Sequence, residues 1–204
     1  MSLDDVERKR RARLIVDDYQ GIHPPWEILY ISHIQSTCRA SLVAFNRFEE
    51  LAVCPPDHAN NAAAFEALTL AAAHAAAVSR FFKPSRGGVE GLSRARASKL
   101  AQAFKVEPTS ALNDRGLRDA IEHYDERLDE YVLNPRYGNT ISIGIGVDAP
   151  QVSNAIFALR WVNIVEGKAQ ILGRDYDYAN TKREMMRVLL LADEFMQSGC
   201  RLPN

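Results

Sequence analysis

Apolar side chains recur at helical spacing through most of the chain. Ile34, Cys38, Leu42 and Phe45 form one such series, which predicts a helix from Ile31 to about Val53, before Pro55 and Pro56. The same pattern predicts four further helices: Asn61 to Phe82, Ser93 to about Phe104 with Ser93 as the cap, Ala111 to Leu133, and a last helix that begins at Asp177 or Asn180 and ends at Gly199.

The periodicity changes to two between the fourth and the last of these helices. Ile141 to Val147 alternates apolar residues with serine and glycine, which is typical of a strand. Two more apolar runs, Ala155 to Val165 and Lys168 to Leu172, meet at Glu166-Gly167, which predicts a tight hairpin. The predicted fold class is mainly α: a helical bundle with a small antiparallel β-meander, residues 139–174, inserted before the last helix.

Composition predicts a single domain over residues 1–204. A chain of 204 residues that is 47% hydrophobic can bury one sizeable core. Residues 1–22 are charged and without pattern, so we expect either a flexible arm or a short leading helix. The 25 Lys and Arg balance the 26 Asp and Glu, so the chain as a whole has no preference for a polyanion.

Several classes of protein are disfavoured by the residue types and their spacing. Cys38, Cys54 and Cys200 are widely spaced and predict reduced thiols. His33, His58 and His74 have no partners at ligand spacing, so we expect no metal and no cofactor. No uninterrupted apolar run approaches the ~20 residues of a membrane span, which favours a cytoplasmic protein without a membrane.

Residues 117–129 form the segment richest in candidate chemistry. At about 100° per residue, one side of a helix here is apolar and the other is charged. The apolar stripe consists of Leu117, Ile121, Tyr124, Leu128 and Tyr131, and the charged side contains Asp119, Glu122, His123 and Glu126. We therefore expect His123 to face solvent, another helix or another subunit.

The spacing within this helix predicts how the charged side chains pair. Asp119 and His123 are four residues apart, so Asp119 should accept a hydrogen bond from His123 and fix its tautomer. Arg118 should either pair with Glu122 or reach around the helix toward a phosphate. One helix does not enclose a site, and the same helix of a symmetry-related subunit is the simplest second wall.

The pair Arg118 and His123, with four residues between them, resembles the Arg-x4-His motif of HEPN domains, which occur in RNA-cleaving toxins and many uncharacterised bacterial proteins. Residues 125–129 and 78–84 also resemble a bacterial HEPN-like subgroup. The resemblance implies a HEPN-like bundle that dimerises with the two motifs facing each other and cleaves RNA without a metal. His123 would be the general base, Arg118 the phosphate-stabilising cation and Asp119 the orienting residue. The β-meander departs from a minimal HEPN bundle.

Three further residues complete the predicted site. Arg80, Glu122 and Arg127 are predicted to bind substrate. Arg80 also begins a stretch to Lys105 with seven basic residues and one acid, which could either follow a phosphate backbone or form a solvated helix face.

Two functions follow from these observations. The leading hypothesis is a homodimeric, metal-independent endoribonuclease. The alternative is a non-catalytic HEPN-like module in which the same face binds a nucleotide or a protein partner.

Overall fold

The computed structural model describes residues 3–54, 57–133, 138–147 and 156–203. Within these ranges it has seven α-helices and six short strands, so the prediction of a mainly α fold with a small sheet region before the last helix is confirmed. The helices are α1 Asp5–Tyr19, α2 Glu27–Ala52, α3 His58–Phe82, α4 Leu92–Ala103, α5 Gly116–Glu122, α6 Tyr124–Val132 and α7 Tyr178–Gln197. Residues 1–22 were predicted to form either a flexible arm or a short leading helix, and the structure contains the helix, α1.

Aspartate side chains begin three of the long helices. The carboxylates of Asp4, Asp57 and Asp177 accept hydrogen bonds from backbone N–H groups in the first turns of α1, α3 and α7, at 2.7, 2.7 and 2.8 Å. Asp177 was one of the two caps predicted for the last helix. The predicted cap Ser93 is wrong, because Gly91 precedes α4 in a left-handed conformation and Ser93 lies inside the helix.

Helices α2 and α3 form a long hairpin that supports two hydrophobic clusters. The first cluster lies between α2, α3, α4 and α7, and its members come from helices, from their connections and from the segment after α7. Its members include Ile31, Ile34, Val78, Phe82, Leu100, Phe104, Met185 and Phe195. The rings of Phe82, Phe104 and Phe195 meet edge to face at centroid distances of 5.6 and 5.0 Å.

The second cluster lies at the other end of the α2–α3 hairpin, under the sheet and helices α5 and α6. Its fully buried members include Phe45, Phe48, Ala64, Leu68, Ala120, Val162, Ala169 and Ile171. The predicted stripe of α5 and α6 packs against this cluster with partly buried side chains: Leu117, Ile121, Tyr124, Leu128 and Tyr131. The prediction that this stripe faces the core is therefore confirmed.

The sheet region differs in part from the predicted meander. The strands are β1 Asn139–Ile141, β2 Gly144–Gly146, β3 Ile156–Ala158, β4 Arg160–Asn163, β5 Lys168–Ile171 and β6 Arg174–Asp177. Strands β4 and β5 are antiparallel as expected, and β6 adds an unpredicted antiparallel strand, but β1 pairs with β3 and β2 with β4 in parallel. The first predicted strand is split into β1 and β2 by bends at Ser142 and Ile143. Gly144, which begins β2, lies against the Trp161 ring, where a Cβ atom would come within 2.2 Å. Ala155, the first residue of the predicted second strand, lies outside the described residues.

Tight turns fix the antiparallel part. The loop between β4 and β5 contains the predicted Glu166-Gly167 hairpin, in which the Asn163 side chain accepts two backbone hydrogen bonds at 3.0 Å. A second turn at Leu172 and Gly173, both with positive φ, brings the chain back as β6. Strand β6 was not predicted, because the apolar alternation stops at Leu172.

One described helix, Ala59–Phe82, is long and apolar enough to cross a membrane by composition, with a mean hydropathy of 1.4. More than half of that window, 56%, is buried inside the protein. The same length and hydropathy are expected of a central core helix, which is the position that α3 occupies between α2 and the rest of the bundle.

Candidate functional site

The predicted helix from Ala111 to Leu133 is broken twice. Residues 111–113 form a short 3-10 turn, and Asp114 then accepts a hydrogen bond from the Gly116 N–H at 2.7 Å, which starts α5 anew. The second break is His123 itself, with φ −107° and ψ 36°, where α5 ends and α6 begins. The motif histidine therefore lies at a junction between two helices, with backbone angles outside the helical region.

Arg118 is held by carboxylates of its own helix. Its Nη1 lies 2.9 Å from Oδ1 of Asp119, and its Nη2 donates to Oε2 of Glu122. The hydrogen bond to Asp119 raises the pKa of Arg118 above its ordinary value, and the charge of Glu122 acts in the same direction. Of the two alternatives predicted for Arg118, the pairing with Glu122 is the one present.

The predicted hydrogen bond from His123 to Asp119 is wrong. Asp119 pairs with Arg118, and Nδ1 of His123 lies 3.6 Å from Oε2 of Glu126 instead. The backbone is still helical up to this point, because the His123 N–H donates to the Asp119 carbonyl at 3.1 Å and both side chains line one cleft, but the Asp119 carboxylate is engaged by Arg118. At 3.6 Å the contact with Glu126 is too long for a hydrogen bond, so none of the described carboxylates fixes the imidazole.

His123 is accessible, as its position on the charged side of the motif predicted. Its side chain is 54% exposed, whereas that of Arg118 is 24% exposed. An open imidazole can approach a substrate without prior rearrangement of the protein, whereas Arg118 must first exchange a carboxylate for any other partner.

A cleft of about 470 Å³ opens beside His123. Its lining combines three acidic residues with two arginines and the histidine: Asp119, Glu126, Glu130, Arg127, Arg174 and His123. An adjoining cleft of about 340 Å³ shares Arg127, Glu130 and Arg174 and extends to the turn between β5 and β6. The sheet therefore provides a second wall for the histidine within one chain.

Arg127 and Arg174 differ in how firmly they are held. Nη1 of Arg127 donates to the Tyr176 hydroxyl of β6 at 2.8 Å, which fixes α6 against the sheet. Arg174 is exposed on the same strand. The sequence predicted Arg127 as a substrate-binding residue. It did not predict Arg174, because β6 was not predicted. The Gly173 that precedes Arg174 was the only signal of the turn.

Arg160 of the sheet packs against α6 and against α3. Its guanidinium carbon lies 5.2 Å from the ring centroids of both Phe65 on α3 and Tyr124 on α6. Because Arg160 belongs to β4, one side chain joins the sheet, the core hairpin and the residue next to His123.

Arg80 lies apart from the His123 cleft, near the start of α5. It is exposed on α3 and close to Arg115, a residue that the sequence did not single out. Arg115 donates through Nε to the buried Ser79 hydroxyl at 3.0 Å and through Nη2 to the Lys83 carbonyl. Burial lowers the pKa of Arg115 from its ordinary value, and the like charge of Arg80 adds to this effect.

The basic stretch from Arg80 to Lys105 does not form one surface. Lys99 is turned inward to the buried Glu27 at 2.8 Å. Arg96 lies over the rings of Tyr30 and Phe81, at 5.9 and 5.7 Å from their centroids. Both side chains serve packing between α4 and its neighbours, which removes two cations from any continuous phosphate-binding face.

Within the described residues, no cluster of three or more His, Cys, Asp or Glu side chains is arranged to hold a metal ion. Comparison with protein-family models gave no match, and comparisons with curated proteins and with solved structures gave none either. The resemblance to HEPN domains therefore stays a prediction from the motif and its flanking residues.

The arrangement contains one base and several cations, which differ in how free they are to contact a substrate. His123 is an exposed base beside a cleft, and Arg127 and Arg174 are cations that line the same cleft. Arg118 is a cation neutralised by two carboxylates. These side chains can bind a phosphodiester and move a proton when the arginines offset the negative charge of the three acidic residues in the cleft.

Proposed function

We propose that the protein is a homodimeric, metal-independent endoribonuclease of HEPN type with His123 as its general base. The observation that carries the proposal is the exposed imidazole of His123 at the α5–α6 junction, beside a cleft that Arg127 and Arg174 also line. Cleavage of an RNA phosphodiester requires a base for the 2′-OH and a cation for the charge that accumulates on the phosphoryl oxygens, and both kinds of group are present at this cleft.

In the proposed reaction, His123 takes the proton from a ribose 2′-OH. The 2′-oxygen attacks the adjacent phosphorus, and the bond from phosphorus to the 5′-oxygen breaks. The leaving oxygen takes a proton from water, so the products are a 2′,3′-cyclic phosphate and a free 5′-hydroxyl. Negative charge accumulates on the phosphoryl oxygens during the attack, and a guanidinium within contact distance stabilises it.

Arg118 is the proposed source of that stabilisation, after an exchange of partners. Its two carboxylates, Asp119 and Glu122, are 42% and 45% exposed, so each ion pair is screened by water and weak. A phosphate with two charged or partly charged oxygens can replace one carboxylate in a bidentate contact. Asp119 then acts on Arg118, and its predicted role as orienter of His123 is not retained.

The alternative, a non-catalytic HEPN-like binding module, is favoured by a different observation. Arg118 is already neutralised, and three carboxylates line the cleft against two arginines. Such a balance suits a ligand or partner surface that carries both signs of charge better than a bare polyanion.

The test is cleavage of a mixed, unstructured RNA by the purified protein in EDTA. We expect cleavage by the wild type and its loss in both His123→Ala and Arg118→Ala. His33→Ala, which removes an exposed histidine of α2, is the matched control and should retain activity. Oligomeric state and unfolding free energy are measured for every variant, so that loss of activity is not confused with loss of structure.

Two outcomes would overturn the ribonuclease. If the wild type does not cleave RNA, or if cleavage persists in His123→Ala, the imidazole is not the base. Binding of RNA or nucleotide without cleavage, weakened by the same variants, would then identify the binding module.

A further inference from the structure

Helix α3 carries an exposed seam on the face that the bundle leaves open. The seam consists of Glu66, Leu70, Ala73, Ala77 and Arg80, at spacings of four, three, four and three residues. At about 100° per residue these positions fall within a stripe about 80° wide. Alternating spacings of four and three are the pattern with which one helix packs along another at a shallow angle.

The seam is accessible in the single chain. Leu70 at its centre is 52% exposed, and Glu66, Ala73 and Arg80 are also exposed. A leucine flanked by alanines on an otherwise core-forming helix buries apolar area only if a second element covers it.

The two ends of the seam carry opposite charges, a carboxylate at Glu66 and a guanidinium at Arg80. Within the part of the chain that the structure describes, neither makes a salt bridge. The guanidinium of Arg80 lies close enough to that of Arg115 for the two like charges to repel each other. A carboxylate from outside the chain would relieve that repulsion.

We infer that α3 pairs with α3 of a second copy of this chain, antiparallel and centred on Ala73. Glu66 and Arg80 lie seven residues on either side of Ala73, so a two-fold axis at Ala73 places each Glu66 opposite Arg80 of the partner subunit. The interface is isologous: the same patch meets itself, and two ion pairs close its ends. The small side chains at Ala73 and Ala77 allow the helices to approach closely, and Leu70 packs beside the axis.

The geometry favours a shallow crossing angle. Glu66 and Arg80 are about 21 Å apart along the helix, or about 10 Å on either side of the axis. At a crossing angle of about 20° the two helices separate by only a few ångströms at that distance, within reach of long side chains. A steeper crossing would leave the charged ends apart.

This interface rests on the proposed function only in so far as both include a homodimer, and it can fail separately from it. The seam ends at Arg80, next to Arg115 at the start of α5, the helix that carries Arg118. Dimerisation through α3 therefore brings Glu66 of the partner subunit toward the basic side of the motif helix.

Charge reversal in the full-length protein tests the register. Sedimentation equilibrium of the wild type is expected to show a dimer. Glu66→Arg and Arg80→Glu each place two like-charged pairs in the interface and should raise the dissociation constant at least about tenfold. The double variant Glu66→Arg/Arg80→Glu restores both pairs and should return the dissociation constant close to that of the wild type.

Two results would overturn the inference. A wild type that stays monomeric at high concentration has no such interface. A dimer whose dissociation constant is unchanged by both single variants, or not restored in the double variant, uses another surface. Circular dichroism confirms that each variant is folded.

A cysteine on the axis gives a second, independent readout. In a background of Cys54→Ser and Cys200→Ser, Ala73→Cys faces its own copy across the axis and should form a disulfide-linked dimer on mild oxidation. Ser98→Cys, exposed on α4, is the control and should stay monomeric on a denaturing gel. Equal crosslinking of both variants would contradict the proposed axis.

Failure here and failure of the proposed function give different data. A protein that cleaves RNA through His123 but ignores the α3 variants disproves this interface alone. A protein that dimerises through α3 but does not cleave RNA disproves the ribonuclease alone.

Discussion

The two ends of the α2–α3 hairpin are built differently. At the end covered by α4 and α7, whole side chains such as Phe104 and Leu100 are removed from water. At the other end, α5 contributes one fully buried residue, Ala120, and α6 contributes none. The helices that carry the motif therefore rest on the second cluster with half-buried side chains, and they can shift at small cost.

The charges differ in the same way. Glu27 and Lys99 form an ion pair at the first end with side chains only 7% and 18% exposed, and Glu27 also accepts a hydrogen bond from the Leu202 N–H. The pairs of Arg118 at the second end are open to water. The first end therefore supplies rigidity, whereas at the second end the charged side chains remain free to exchange their ion-pair partners.

The largest expected effect comes from deleting an aromatic ring of the first cluster. Phe104→Ala removes the ring that joins Phe82 and Phe195 and leaves a cavity, so it should lower the free energy of unfolding by about 3–5 kcal/mol. Leu128→Ala, on the half-buried stripe of α6, should cost about 1 kcal/mol. Urea denaturation of both variants measures the difference, and equal losses would contradict the contrast between the ends.

The next effect comes from the buried ion pair. Lys99→Met leaves Glu27 buried without its cation and should destabilise the protein by about 3 kcal/mol. The control is Lys182→Met, which breaks a more exposed pair with Glu49 and should cost less than about 1 kcal/mol. If the two lysine variants unfold at the same denaturant concentration, the Glu27–Lys99 pair does not support the first end.

A smaller effect is expected where the sheet meets the motif helices. Arg160→Gln removes the cation that lies over Phe65 and Tyr124, at a cost of about 1 kcal/mol. Because the contact holds α6, hydrogen exchange should accelerate in α6 and leave α4 unchanged. Arg183→Gln, an exposed arginine of α7, is the control. Uniform acceleration in both helices would contradict a local role.

The smallest effect is expected at Glu184 on α7. Its carboxylate accepts hydrogen bonds from Ser110 and Arg187. The hydrogen bonds from Arg187 lower the pKa of Glu184 below its ordinary value of 4.5. A carboxyl with a lowered native pKa stabilises the fold above its unfolded pKa, and this contribution is lost as the pH falls through the native value. Glu184→Gln should therefore cost about 0.5–1 kcal/mol at pH 7 and less in strong acid. If the difference in free energy of unfolding between the wild type and Glu184→Gln stays the same as the pH falls, the stabilising role of the Glu184 carboxylate is contradicted.

The sequence predicted the scaffold better than the site. Periodicity was sufficient for α2, α3 and the apolar stripe of α5 and α6, because burial of one face decides those elements. For the start of the last helix the sequence left Asp177 and Asn180 open, and the structure has Asp177 as the cap. It was not sufficient for the break at His123, which depends on local backbone angles that a helical wheel assumes to be regular. The wrong pairing of Asp119 with His123 has another cause, because a helical wheel does not show which neighbour binds a given carboxylate, and Arg118 binds that of Asp119.

Arg174 and Arg115 show a second limit. Arg174 reaches the cleft through a two-residue turn that carries no apolar signal of its own. Arg115 contacts Ser79 and Lys83, more than thirty positions earlier in the chain, so its burial is a property of the tertiary fold. Contacts between distant segments do not leave a spacing pattern in one sequence.

The most direct test of the central claim uses an oligodeoxynucleotide with one ribonucleotide, incubated in EDTA with the wild type and with His123→Ala. The account predicts a single cut on the 3′ side of the ribose by the wild type, with a 2′,3′-cyclic phosphate and a 5′-hydroxyl as the new ends. It predicts no cut by His123→Ala. Cleavage of the all-deoxy strand, or an equal cut by His123→Ala, would contradict the account, because neither result needs a 2′-OH deprotonated by His123.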